Sequence, residues 1–252
     1  MKLLAFDTST DAMSIAVSRD DGAAAGLWQH QGEGGAKASA GLIAAVLELM
    51  RQSGLRLSEL DAICFGCGPG SFTGLRTACA VAQGLAFGAG VPVLPVNSLL
   101  ALAEEARYSS LQQVDNGEVT ALLDARMEEI YVARYAFAGS TWTELQAAHV
   151  LRPENVVVPT SSLPQAAAGN AFAVYGPRLV GIAEGVARIT DLPQATAMLR
   201  LAPQLLARGL AVPAALALPT YVRDKVAQTT AERAAIKAAQ LAATTTPPLS
   251  TP

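Results

Sequence analysis

The sequence predicts an α/β protein built as two lobes with similar openings. Apolar segments of strand and helix length follow the order β, β, β, α, β, α, β, α over roughly the first hundred residues. A polar gap at 109–117 then breaks the pattern. Beyond it the chain starts again with two strands around a short carboxylate-bearing turn, as it does at its beginning.

Each element has a local reason. Residues 3–6 and 13–17 read as a hairpin across "DTSTDA", and a third strand is expected at 25–30. Over 36–51, Leu42, Ile43, Val46, Leu47 and Met50 recur at helical spacing. A strand at 61–67 enters a glycine-rich turn and leaves as a helix over 72–87, lined by Ala78, Ala82 and Ala86 and stopped by Gly88-Ala89-Gly90. A strand at 91–96 follows, and Ser98 is suited to cap a helix running to Ala106. This gives a first lobe at 1–108. In a second lobe at 109–227, strands are expected at 119–123, 130–137, 145–150 and 171–175, with helices at 179–186 and 194–210. Residues 228–252 form an Ala/Thr-rich tail, with one helix to about 242 and then "TTTPPLSTP", which has too little apolar surface to order itself.

Composition narrows the function. The formal net charge is −3, without the basic surface of a protein that grips nucleic acid alone. "MKLLAF" is cut off by Asp7 before it reaches the length of a signal-peptide core, and no apolar run is long enough to span a membrane, so a cytoplasmic protein is expected. The three cysteines are odd in number and argue against a disulfide framework. Cys64 and Cys67 form a C-x-x-C, yet on a strand residues i and i+3 face opposite ways, which favours buried thiols over a redox pair. His30 and His149 show no ligand spacing, and no metal site is expected.

Two segments have the chemistry of a phosphate cradle. In the first turn Asp7, Thr8 and Ser9 offer main-chain N–H groups and hydroxyls. In "GCGPGSFTGLR", residues 66–76, Gly68, Gly70, Ser71, Thr73 and Arg76 surround a helix N-terminus. Against this, G-x-G-x-x-G fails in both registers, because Ser71 and Thr73 stand where glycine is needed, and the P-loop lysine is absent. The glycines equally suit a sharp strand-to-helix turn. Asp124 and Arg126 sit at a strand end in the second lobe and could serve a cleft or cap a turn.

"LLAFDTST", "CGPGSFTGLR", "LLDARMEEIYVARY" and "PTYVRDKVA" occur in order from residue 3 to 227. Together they resemble the TsaB (YeaZ) family, and "GPGSFTGLR" is the specific part of the match. The resemblance implies the actin/Hsp70/sugar-kinase fold with two ribonuclease-H-like lobes. It implies a part in making threonylcarbamoyladenosine beside the anticodon of tRNAs that decode ANN codons. Members of the family pair with a TsaD-type paralogue that performs the transfer, and the pair recruits a TsaE-type ATPase. tRNA is then met only through the complex, and ATP or ADP belongs to the assembled interface, with no cofactor of the chain's own.

Two departures sharpen this. The TsaD-type metal site rests on a V-N-H-x-x-x-H segment. Here Val96-Asn97 are followed by Ser98 and Leu102 at the histidine positions, which argues for a non-catalytic partner. Many TsaB relatives carry H-S-E near the start of the first long helix, where this chain has Ala38-Ser39-Ala40. The family heterodimer is built from first-lobe helices, so Leu42, Val46, Met50, Leu75, Ala78, Ala82 and Leu85 are the expected interface, with a homodimer when the partner is absent. Two other readings stay open: an autonomous ATP-dependent kinase of the same superfamily, and a peptidase, for which no nucleophile–base–orienter set is visible.

Overall fold

The computed structural model describes residues 1–21 and 25–223. Strands β1 (Lys2–Asp7), β2 (Ala12–Asp20) and β3 (Ala25–Glu33) form an antiparallel meander. Helix α1 (Leu42–Ser53) leads to β4 (Ala62–Gly68), α2 (Phe72–Ala89), β5 (Val93–Asn97) and α3 (Ser98–Ser110). The sheet order is β3-β2-β1-β4-β5, with β4 and β5 parallel to β1.

The second half repeats this plan. Strands β6 (Asn116–Arg126), β7 (Glu129–Ala138) and β8 (Thr141–Leu151) are antiparallel, while β10 (Gln165–Ala168) and β12 (Ala187–Ile189) run parallel to β6, in the order β12-β10-β6-β7-β8. The short strands β9 (Val157–Val158) and β11 (Gly181–Ile182) pair separately, α4 is Ala171–Tyr175, and α5 is Ala195–Ala207. Two sheets of identical mixed order are two ribonuclease-H-like lobes, the duplicated plan of the actin/Hsp70/sugar-kinase fold.

Alternation along β1 and β4 divides the core. Leu3, Ala5 and Cys64 face α3 and α5, which also cover Val119, Ala121 and Leu123 of the second sheet. Leu4, Phe6, Ile63, Phe65 and Cys67 face α1 and α2 on the other side. The two cysteines of the C-x-x-C thus lie in different core layers, both as free thiols. Burial pushes the Cys64 thiol up to about 12 and that of Cys67 to about 11, so neither is a thiolate near neutrality. Residues Met1–Val222 form one compact unit, because the layer of α3 and α5 belongs to both sheets. At its centre the buried Glu104 accepts hydrogen bonds from Arg107, Arg200 and the Trp142 indole.

Some sequence expectations need correction. Residues 171–175 were expected to form a strand but make the short helix α4. Residues 179–186 were expected to be helical, yet hold only the two-residue strand β11 and turns. The helix expected from residue 36 begins at Leu42, preceded by a 3₁₀ segment at Gly35–Ala40. Asn97, not Ser98, caps α3: its Oδ1 accepts from Leu99 N–H (2.8 Å) and Leu100 N–H (3.2 Å). The tail at 228–252 and the end of the "PTYVRDKVA" segment lie outside the described residues.

Candidate functional site

The two expected phosphate loops meet, and they fill each other. The Ser71 N–H, at the N-cap of α2, donates to the Ser9 carbonyl (2.7 Å), and the Ser71 hydroxyl accepts from Gly74 N–H (3.3 Å). The Thr8 hydroxyl donates to the Gly74 carbonyl (2.8 Å), and the Thr8 carbonyl accepts from Gly35 N–H (3.2 Å). Contact is close enough that a Cβ on Gly70 would stand 2.4 Å from the Ser9 oxygen, and one on Gly74 would stand 1.9 Å from the Thr8 oxygen. The first turn thus packs directly on the N-cap of α2 and takes up its Ser71 N–H.

Beneath this contact Asp7 is 1 % exposed. One carboxylate oxygen accepts from the Ser9 N–H (2.7 Å) and hydroxyl (2.6 Å), and the other accepts from the Ser98 hydroxyl (2.7 Å). Gly66 leaves the space: a Cβ there would fall 1.9 Å from the second oxygen. Burial pushes the Asp7 carboxyl above its ordinary value, against the pull of its Ser9 and Ser98 donors. Ser98, at the first of the paralogue's histidine positions, is thus a hydrogen-bond donor to Asp7. Leu102, at the second, is fully buried in the core. Among the described residues no three His, Cys, Asp or Glu side chains gather as metal ligands.

A carboxyl whose folded pKa exceeds its unfolded value adds stability below the unfolded value, and that stability is lost as pH rises through the folded one. Asp7→Asn is therefore expected to be at least as stable as the parent at pH 8. The difference between the two should move in the parent's favour as pH falls towards 4. Urea unfolding of both proteins between pH 4 and 8 measures this, and a variant much weaker at pH 8 would show that the charged form is needed.

Gly68 and Arg76 face elsewhere. Residues 217–221 return from the end of the second lobe and lie along α2 as a strap. Thr220 N–H donates to the Cys67 carbonyl (2.7 Å), and the Gln83 amide donates to the Ala217 carbonyl (2.9 Å). Arg76 lies 3.7 Å over the Phe72 ring and donates to the Tyr221 hydroxyl (3.1 Å). Gly68 has φ +118°, and a Cβ there would meet the Thr220 oxygen at 2.6 Å, so glycine is required on both counts. Thr73 is exposed on the first turn of α2. The part played by 217–221 carried no sequence signal beyond the "PTY" of the fourth motif.

Across the molecule, Asp124 and Arg126 do come together. Asp124 accepts from Arg126 N–H (2.9 Å) and the Tyr175 hydroxyl (2.8 Å), while the Arg126 guanidinium pairs with both Asp124 and Asp11. Desolvation and the neighbouring Asp124 push the Tyr175 hydroxyl up to about 12, keeping it a donor. Arg126, Met127 and Glu128 have φ of 60°, 55° and 60°, three successive non-glycine residues in the left-handed region. Asp11 and Tyr175 were not anticipated, because their partners are more than fifty residues away.

The expected interface set needs correction. Leu42, Val46, Met50, Leu75, Ala78 and Ala82 are buried in the chain's own core and Leu85 is partly buried against it, so all seven lie on inward faces of α1 and α2. The outward apolar residues are Ile43 and Leu47 (each 50 % exposed), Phe72 and Phe87 (83 % exposed).

Fold and site together define a two-lobed protein of the actin/Hsp70/sugar-kinase class whose first turn packs against the glycine loop and the start of α2. A family model described as TsaD, tRNA N6-adenosine threonylcarbamoyltransferase, matches residues 37–231. The tRNA threonylcarbamoyladenosine biosynthesis protein TsaB of Haemophilus influenzae is 34 % identical over 235 residues, covering 90 % of this chain and 95 % of that protein. The Escherichia coli TsaB is 33 % identical over 234 residues, covering 90 % and 96 %. Among solved structures, YeaZ from Pseudomonas aeruginosa is similar with a TM-score of 0.76 at 36 % identity, covering 87 % of this chain and 99 % of that one. The chain belongs to the TsaB (YeaZ) family.

Proposed function

We propose that this chain takes part in tRNA threonylcarbamoyladenosine biosynthesis as a scaffold and activator subunit. In this reading it pairs with a TsaD-type transferase, helps to recruit a TsaE-type ATPase, and meets tRNA only within that assembly. The observation that carries the non-catalytic part is the filled cradle: the helix N-terminus that would hold a phosphate donates to Ser9, and Asp7 is sealed beneath it. Any ATP or ADP then belongs to the assembled interface. A kinase would need that cradle open, and no observation favours one.

The outward faces of α1 and α2 are the partner surface in this reading, in place of the inward residues. Ile43 and Leu47, one helical turn apart, present an apolar strip beside an exposed Glu48–Arg51 pair, and the same strip would support a homodimer of the chain alone. Light scattering after size-exclusion chromatography, with and without the TsaD-type paralogue, tests this. The parent is expected to form a 1:1 complex and to leave ATP intact by itself. Ile43→Asp with Leu47→Asp is expected to weaken the complex at least 100-fold without lowering the melting temperature, since neither residue is buried. No complex with the parent, together with ATP turnover by the isolated chain, would overturn the reading.

A further inference from the structure

A cavity of about 640 Å³ lies between β5 and β8, the edge strands of the two sheets, with α3 and α5 forming its remaining walls. It is separate from the Asp7 and Asp124 clusters, and its volume is in the range of pockets that hold small molecules (roughly 300–1,000 Å³). Leu100, Leu201 and Leu205, with the Tyr135 and Trp142 rings, form an apolar lining.

Its polar groups divide into those already engaged and those free. The Asn97 Oδ1 is spent on capping α3, the Tyr135 hydroxyl donates to that same oxygen (3.4 Å), and the Trp142 N–H is taken by Glu104. Left over among the described residues, besides the Thr141 and Thr143 hydroxyls, are the Asn97 NH₂, the Gln204 amide, the Arg208 guanidinium at the end of α5 and the Glu144 carboxylate on β8. The side chains of Arg208, Gln204 and Glu144 have no hydrogen-bond or ion-pair partner among the described residues.

Among the described residues, one cation and one anion without an ion-pair partner, on different walls, with two amide side chains and an apolar lining, complement a molecule with both charges, amide groups and apolar side chains. We infer that this cavity binds a short peptide of two or three apolar residues with both termini free. Arg208 would take the carboxylate, Glu144 the ammonium, and the Asn97 and Gln204 amides the peptide groups, which offer the matching acceptor and donor. The peptide would be held and not cleaved. Among the described residues that line the cavity, Cys67 is the one cysteine, a nearly buried, protonated thiol, and there is no histidine to activate it.

Calorimetric titration of the full chain with tri-leucine, its N-acetyl form and its C-terminal amide tests the assignment. Tri-leucine is expected to bind at 1:1, and each blocked form at least 10-fold more weakly. In Arg208→Gln the amide and the free acid should bind alike. In Glu144→Gln the acetylated and free-amine forms should bind alike. Both side chains are exposed, and unchanged melting temperatures would exclude unfolding as the cause of any loss. Absence of saturable binding of tri-leucine at several millimolar, or discrimination between the three forms that survives both substitutions, would overturn the proposal.

Discussion

Glu104→Gln is expected to cost about 3–5 kcal/mol of folding stability, the range for removing one partner of a buried, hydrogen-bonded ion cluster. One carboxylate oxygen accepts from Arg107 Nε (2.8 Å) and Trp142 Nε1 (3.0 Å). The other accepts from Arg107 (2.9 Å) and Arg200 Nε (2.8 Å). Glutamine keeps the shape but turns an NH₂ towards guanidinium or indole donors and leaves two arginines without their anion. The damage should be global, because this one side chain ties α3 to β8 and α5 in the layer that both sheets share. Burial alone would raise the Glu104 carboxyl, but the Arg107, Arg200 and Trp142 donors outweigh it and hold the group below its ordinary value. Its contribution is then present above the unfolded pKa of about 4.3 and is lost as pH falls through the lower, folded value. Urea unfolding of parent and variant at pH 7 and at pH 3 measures both effects. A difference below 1 kcal/mol at pH 7, or one that grows as pH falls, would show that the cluster does not act this way.

The second large effect concerns two glycines on one helix, expected to respond with opposite signs. An alanine at Gly74 would place its Cβ 1.9 Å from the Thr8 carbonyl oxygen, a main-chain atom held by β1 and by Gly35. The first turn and α2 would have to part, at a cost of about 1–3 kcal/mol or more for forced overpacking. At Gly84, ten residues on, nothing lies within 4 Å of the added methyl, so alanine should stabilise by up to about 1 kcal/mol through helix propensity. Melting temperatures of the two single variants decide it. If Gly74→Ala were as harmless as Gly84→Ala, the two loops would not be in contact, and the filled cradle, with the functional reading built on it, would fail.

Most of the architecture was legible because strand and helix periods are strong wherever one face is buried. The opening meander, the glycine turn and α2 follow directly from such runs. Failures occurred where an apolar run was too short to have a period. Phe172, Val174 and Tyr175 favour strands in isolation, yet residues 171–175 close a helical turn over the second sheet. Ala166, Ala167 and Ala168 are poor strand formers, but as β10 they lie between β6 and β12, and that position overrides their preference. At the site, the sequence marked two loops of similar chemistry, Asp7–Ser9 and 66–76, without bringing them together. It could not reveal that one occupies the other, since that depends on main-chain atoms, which every sequence shares. The interface expectation failed for a related reason. Spacing marks the apolar stripe of α1 and α2, and the best stripe is the one a chain keeps for its own core. Ile43 and Leu47 belong to the same apolar run but lie on its flank, half exposed.

The strap over α2 also sets an order of events at the ribosome. Cys67 and its partner Thr220 are 153 positions apart, so the glycine turn emerges long before the residues that cover it. At about 5–20 residues per second the interval is roughly 8–30 s. For that time the nascent first sheet carries an uncovered α2 flank, and its edge strand β5 lacks the Val93–Val212 bridge that later closes against it. The first lobe is thus complete only when the second has been made, and a fragment ending near residue 108 would lack part of its own surface.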